Sequence, residues 1–137
     1  MNNKLYKKLH LKSFIRGDSL SLQHAKMMKK MGFKSVRFGA ESGSDRILEM
    51  LGKNTTIADY IKTINIVKGV GLKLYVSFMH DIPGETQQDK YLTQKFIEDN
   101  KDNFKVMGNY RFRPFPGTDM YNGENPLEFD MRVRSFK

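Results

Sequence analysis

The sequence predicts an α/β fold in which about four parallel strands are joined by crossover helices, forming part of a parallel β/α barrel. Three observations carry this expectation. Short runs of strand-forming residues alternate with segments of helical periodicity. Each connection is long enough to hold a helix, as parallel pairing requires. At 137 residues the chain is one domain's worth of protein, and four strands cannot close a barrel of eight.

The first strand is expected over Leu9 to Ile15. Asp18 and Ser19 then turn the chain, and Ser21 caps a helix to about Met31, with Leu22, Ala25, Met28 and Met31 on one apolar face and Gly32 at its end. A second strand, Ser35 to Phe38, runs into the polar loop Gly39-Ala40-Glu41-Ser42-Gly43-Ser44. Ser44 is placed to cap a helix from Asp45 to Leu51, which Gly52 stops. The clearest helix follows Thr56, which stands in capping-box spacing with Asp59. It is expected to bury Ile57, Tyr60, Ile61, Ile64 and Val67. Leu72 to Met79 has too little alternation for an exposed edge and reads as a buried parallel strand. Thr86 and Asp89 repeat the capping-box spacing before a helix to about Asn100, and a fourth strand spans about Val106 to Phe112. From Tyr121 the periodicity is lost. The expected organisation is a core unit of residues 1–121 and a carboxyl-terminal extension of residues 122–137.

Composition narrows the chemistry. Cysteine is absent, which removes disulfides, thiol nucleophiles and thiolate metal sites. His10, His24 and His80 lie too far apart in sequence for the close spacings of a zinc site. No apolar run approaches the roughly 20 residues that span a bilayer, and the basic start lacks the apolar stretch of a secretory signal. A soluble, cytoplasmic protein with no membrane partner is expected. The net charge of +9 is uneven: residues 1 to 38 hold ten Lys or Arg against the single acid Asp18. That basic end could meet RNA phosphates, an acidic substrate or a partner chain; a solvated lysine-rich face is the plainer reading.

Loops that follow parallel strands gather on one rim, where α/β folds bind ligands. Three such loops share a polar theme. Gly39 to Ser44 sets Glu41 among hydroxyls and glycines, suited to an amine or a ribose. Pro83-Gly84-Glu85-Thr86 makes a tight turn that presents backbone N–H groups at a helix start. Arg113-Pro114-Phe115-Pro116-Gly117-Thr118 offers an arginine for a carboxylate and a ring to flank a base, with Arg111 two residues before Arg113 on one side of the strand. Each loop alone is equally well a turn, a cap or a rigid linker; their recurrence at one topological position favours a site.

Taken in order, Phe38 to Leu48 (FGAESGSDRIL), Ser77-Phe78-Met79 with Ile82-Pro83-Gly84-Glu85-Thr86, and Pro114 to Thr118 (PFPGT) resemble the radical S-adenosylmethionine (SAM) superfamily. The likeness covers about residues 9 to 121 and is closest to the branch that often carries a cobalamin-binding domain. Arg16 to Leu20 and Met28 to Gly32 are similar to the stretch upstream of those motifs. The resemblance implies the carboxyl-terminal half of a barrel whose amino-terminal half holds an iron–sulfur cluster on a CxxxCxxC loop. There the cluster cleaves SAM to a radical that abstracts hydrogen from substrate. By position, Glu41 and Ser42 resemble the polar pair near the ribose or methionine of SAM, and Pro83, Gly84 and Glu85 the turn near its adenine. Arg16 and Arg113 correspond to contacts with the methionine carboxylate or the substrate, and Ser77 and Phe115 complete the implied cofactor-binding set.

Two departures stand out. The three cluster cysteines are absent, so the chain cannot ligate the cluster by thiolates. His80-Asp81 also replaces an apolar residue and glycine before the Ile-Pro-Gly-Glu-Thr turn, where a side chain crowds the adenine's approach. The expected function is thus a fragment contributing part of a SAM-binding surface, inactive without the missing half of the core or a partner subunit. Cobalamin and a small-molecule or RNA substrate are compatible with it. The alternative is a non-catalytic module that uses the basic amino-terminal face to bind RNA or a partner protein. A third reading, an unrelated β/α enzyme with Glu41 and Glu85 as acid and base, lacks a partner group at suitable spacing.

Overall fold

The computed structural model describes residues 9–114. Its four strands, β1 (Leu11–Phe14), β2 (Phe33–Glu41), β3 (Lys73–His80) and β4 (Lys105–Arg111), pair in that order, and every pair is parallel. Between them run α1 (Leu22–Lys30), then α2 (Asp45–Met50) and α3 (Ile57–Gly69), then α4 (Gln87–Asp99). Parallel pairing demands a crossover each time, and the crossovers deliver all four helices to one face of the sheet. There Ala25, Leu48, Tyr60, Ile64, Val67 and Phe96 meet Val36, Phe38, Val76 and Phe78 of the central strands in one core. Its centre is aromatic: the Phe38 and Tyr60 rings lie 5.1 Å apart, and Phe78, Phe96 and Phe104 form a triangle with sides of 5.9 to 6.2 Å. Those spacings are typical of favourable tilted and edge-on pairs.

The expected α/β partial barrel is the observed architecture, an open sheet of four strands. Both capping boxes form as read: Thr56 Oγ1 accepts from the Asp59 N–H, and Thr86 Oγ1 from the Asp89 N–H. No helix among the described residues is long and apolar enough to cross a membrane. The boundary at residues 121 and 122, the residues before 9, and Phe115 to Thr118 lie outside the described residues.

Several local expectations are corrected. β2 extends from Phe33 to Glu41, beyond the expected Ser35 to Phe38, so Gly39, Ala40 and Glu41 belong to the strand and the loop starts at Ser42. Ala40 is drawn into the sheet by burial and by a 3.1 Å bond from the Tyr60 hydroxyl to its carbonyl. On α1 only Ala25 is fully buried. Leu22 and Met31 are 49% and 58% exposed, because no further element covers the outer flank of that helix within the described chain. Ile61 of α3 is exposed for the same reason. β4 ends at Arg111, so the strand alternation that would set Arg111 and Arg113 on one side does not reach Arg113.

Candidate functional site

Because the strands are parallel, their carboxyl ends share one rim, and the segments after β1, β2, β3 and β4 meet there. Arg16, Ser42, the Pro83-Gly84-Glu85 turn and Arg113 lie on segments that follow strands, Glu41 is the last residue of β2, and Ser77 is lower on β3; Arg16 and Arg113 follow the two opposite edge strands. Their chemical settings differ sharply.

Glu41 closes β2 in a left-handed conformation, φ 67°, at an irregularity where Gly39 pairs with Ser77 and Glu41 with Phe78. Its carboxylate folds back over Gly39 so closely that a β-carbon there would collide with Oε1. Lys53 of the α2–α3 connection holds Glu41 Oε1 at 3.0 Å. Beside it a cleft of about 270 Å³ is lined by Ile15, Arg16, Asp18, Lys53, Thr55 and Tyr60. Arg16 makes a two-point ion pair with Asp18, at 3.1 and 3.0 Å, which holds the Asp18 carboxyl below its ordinary range. Burial raises the Tyr60 phenol well above its ordinary value, with the Glu41 charge second, so Tyr60 serves as a neutral donor to Ala40.

Ser42, by contrast, is fully buried and turned into the protein. Its hydroxyl lies 3.1 Å from Thr93 Oγ1 and accepts from the Ser44 N–H, while Thr93 Oγ1 also accepts from the Gly43 N–H at 2.9 Å. Ser44 sits at the N-cap of α2 without capping it. It donates instead to Asp89 Oδ1 at 2.6 Å, because Asp89 is buried and needs donors. Arg46 supplies more, binding Asp89 through Nε and Nη2 and giving Nη2 to the Gly84 carbonyl at 2.7 Å. Thr86 adds its N–H and hydroxyl to Asp89 Oδ2. Held first by the Arg46 guanidinium and then by the Ser44 and Thr86 donors, against the opposing effect of burial, the Asp89 carboxyl lies far below the usual carboxylate range. This clamp ties the loop after β2 to the turn after β3.

The turn itself has Pro83 and Gly84 between Ile82 and Glu85, with the Glu85 N–H donating to the Ile82 carbonyl at 2.9 Å and Gly84 at φ 80°. That is the type II arrangement, which requires positive φ at its third residue. The N–H groups of Glu85, Thr86 and Asp89 are therefore engaged within the chain. Glu85 Oε2 is buried with no hydrogen-bond partner among the described residues, as is Thr55 Oγ1 at the cleft. Asp81 adopts φ 57°, the conformation a glycine favours, and its exposed carboxylate reaches His80, Lys90 and Arg111 at 3.2, 3.5 and 3.4 Å. Arg113 is exposed beyond the end of β4.

The amino-acid sequence matches the Radical SAM superfamily across residues 3–97. The chain belongs to the radical SAM superfamily. It is 35% identical over 126 residues to an uncharacterized methyltransferase of Pyrococcus horikoshii, a match covering 88% of this chain and 26% of that one. Among solved structures it superposes on the archaeal Elp3 of Methanocaldococcus infernus with a TM-score of 0.66 and 24% identity, over 80% of this chain and 26% of the other. It also superposes on OxsB, a cobalamin-dependent SAM radical enzyme solved with aqua-cobalamin and SAM bound, with a TM-score of 0.61 and 22% identity, over 72% and 15% of the two chains. At such identities the structural likenesses establish the fold, which is the radical SAM one. The chain spans about a quarter of the length of the Pyrococcus relative.

The superfamily implies SAM and an iron–sulfur cluster, and the residues fit the two differently. For the cluster there is no ligand set: the sequence has no cysteine, and no three His, Asp or Glu converge on a metal-sized site among the described residues. For SAM there is chemistry on the rim, in a carboxylate folded over a strand glycine and in two buried oxygens without partners. Sequence reasoning missed Lys53, Arg46, Asp89 as a clamp, and Thr93. Lys53 and Arg46 carried only the weak signal of being cations within twelve residues of Glu41 on short helices and turns.

Proposed function

We propose that this chain supplies the carboxyl-terminal part of a radical SAM enzyme's SAM-binding surface, and that the cluster-bearing segment comes from outside these 137 residues. The observation that carries the reading is Glu41, a carboxylate held over Gly39 by Lys53 at the shared rim. A cationic or amine-bearing ligand finds an acceptor there, and a flat group can approach the sheet beside it. In this proposal Glu41 takes the amino group or ribose of SAM, with Arg16 and Lys53 toward its carboxylate. Pro83 and Gly84 form a turn for the adenine edge, and Glu85 Oε2 accepts from it. Ser42 acts through the loop it anchors, Ser77 lies beneath the ligand, and Arg113 is offered from the segment after β4; a role for Phe115, outside the described residues, rests on the family resemblance alone. Bound SAM would supply the sulfonium whose reductive cleavage yields the radical; the residues of this chain bind and orient it. The relatives' cobalamin and substrates bear on the whole protein, and a small-molecule or RNA substrate suits the basic amino-terminal end.

Titrating SAM into the isotope-labelled chain tests the surface. Backbone amide shifts should cluster at Glu41, Lys53 and Glu85 and disappear in Glu41→Gln; shifts that survive the substitution reject the assignment. Anaerobic reconstitution with iron and sulfide should leave the isolated chain without cluster absorbance, and a stoichiometric cluster with SAM cleavage would overturn the division of labour. A second reading, a binding module for RNA or a partner protein, draws on α1, where Lys26, Lys29 and Lys30 occur with no acid in the helix. RNA affinity that falls steeply with salt would favour it, and flat, negligible binding would remove it.

A further inference from the structure

The face of the sheet turned away from the helices carries a feature the SAM reading does not use. On that face strand register sets Phe14, Arg37, Tyr75 and Lys105 in one row across all four strands. The Arg37 guanidinium sits 5.8 Å from the Phe14 ring centre and 5.6 Å from that of Tyr75. Two flanking rings hold such a group by cation–π attraction while leaving its N–H edge to other partners. Among the described residues the buried Nε has no hydrogen-bond partner, and neither Nη makes a hydrogen bond or ion pair. The next row toward the amino ends is Lys12, Ser35 and Lys73, and Ser35, 3% exposed, also has a hydroxyl without a partner among the described residues. No acid stands in either row. Toward the rim the row Gly39, Ser77 and Gly108 separates Arg37 from Glu41, whose charge is already met by Lys53.

A stacked arginine with donors unmet among the described residues, and with three lysines and no described carboxylate in its row and the next, is built for a negative group. We propose that Arg37 anchors an oxyanion, a carboxylate or a phosphate, carried by the molecule on which the SAM-dependent chemistry acts. The proposal rests on the rim being the SAM surface. A ligand reaching from Glu41 at the rim to Arg37 crosses the Gly39, Ser77 and Gly108 row, about four residues or roughly 13 Å along the strand. Arg37 and its ring neighbours Phe14 and Tyr75 then set which substrates fit: a molecule with an anion at that reach from its reacting carbon.

The test uses the full chain, labelled so that arginine Nε–Hε signals are visible, with Arg37 assigned through Arg37→Lys. Inorganic phosphate and acetate are titrated separately at constant ionic strength, and the stronger of the two identifies the oxyanion. The Arg37 signal should shift saturably with at least one of them. Affinity, read at the Gly39 and Ser77 amides, should fall about tenfold or more in Arg37→Lys and Arg37→Gln. In Phe14→Leu, which removes one ring and keeps the guanidinium, it should fall about twofold to fivefold. Retained amide dispersion certifies that each variant is folded. Absence of a saturable Arg37 response to both anions, or equal affinity in Arg37→Gln, overturns the proposal. SAM added to the same samples reports on the rim. SAM shifts without an anion response at Arg37 defeat this inference alone; an anion response without SAM shifts defeats the rim reading and, with it, the assignment of the anion to the substrate of SAM-dependent chemistry.

Discussion

The two faces of the sheet are built by the same strands one residue out of phase, and they serve opposite ends. On the helix-covered face Val36, Phe38, Val76 and Phe78 are buried within the apolar and aromatic core. One position along each strand, Arg37, Ser77 and Tyr75 share a face with Phe14, which is 70% exposed, and Tyr110, which is 58% exposed. The first face carries the stability of the chain. The second carries aromatic rings, hydroxyls and cations with little left to satisfy them among the described residues. The lesson is that the polar residues of a buried-looking strand are informative according to the face they occupy.

Substitutions can break this contrast. Phe78→Ala removes a fully buried ring from the aromatic triangle and should cost about 3 to 5 kcal/mol in chemical denaturation. Asp89→Ala unties the clamp between the β2 and β3 loops and should cost about 2 kcal/mol. That is less than for a fully buried pair, because Arg46 is half exposed and returns to water. The same carboxylate imposes an acid limit. Its folded-state pKa is depressed, so its contribution is complete above the ordinary carboxylate range and is lost as pH falls from about 4 through the lower folded value. A stability profile of Asp89→Asn should be flatter below pH about 4 than that of the parent; parallel profiles would show that the clamp carries no such linkage.

Gly43→Ala should cost about 1 to 3 kcal/mol, since the new methyl would meet Thr93 Cα at 2.6 Å and the Leu92 carbonyl at 2.8 Å, and backbone yields poorly. The smallest effect belongs to the open face, where Phe14→Ala should change stability by no more than about 0.5 kcal/mol while weakening anion binding at Arg37. A loss as large as that of Phe78→Ala would erase the distinction between the faces.

The clamp and the bulged end of β2 show where sequence reasoning stops. Gly39 and Ala40 look like loop residues because glycine weakens strands, yet the strand runs through them. What decides this is Tyr60 reaching Ala40 and the Glu41 carboxylate folding over Gly39, two contacts that no local pattern contains. Ser42 shows a polar residue in a glycine-flanked loop, which invites a ligand reading, while its hydroxyl is committed to Thr93, 51 residues away.

By itself the sequence determined the order of β and α elements, the two capping boxes at Thr56 and Thr86, the Pro83-Gly84 turn and the absence of cluster thiolates. These depend on side chains and torsions within a few residues of one another, so residue type and spacing encode them directly. Only the tertiary structure decided that Asp89 clamps Arg46 across 43 residues, that Lys53 holds Glu41, and that Arg37 lies between Phe14 and Tyr75. Those meetings depend on strand register and on how far each loop advances along the rim. Both are set by the packing of the whole sheet against its helices and not by any single segment.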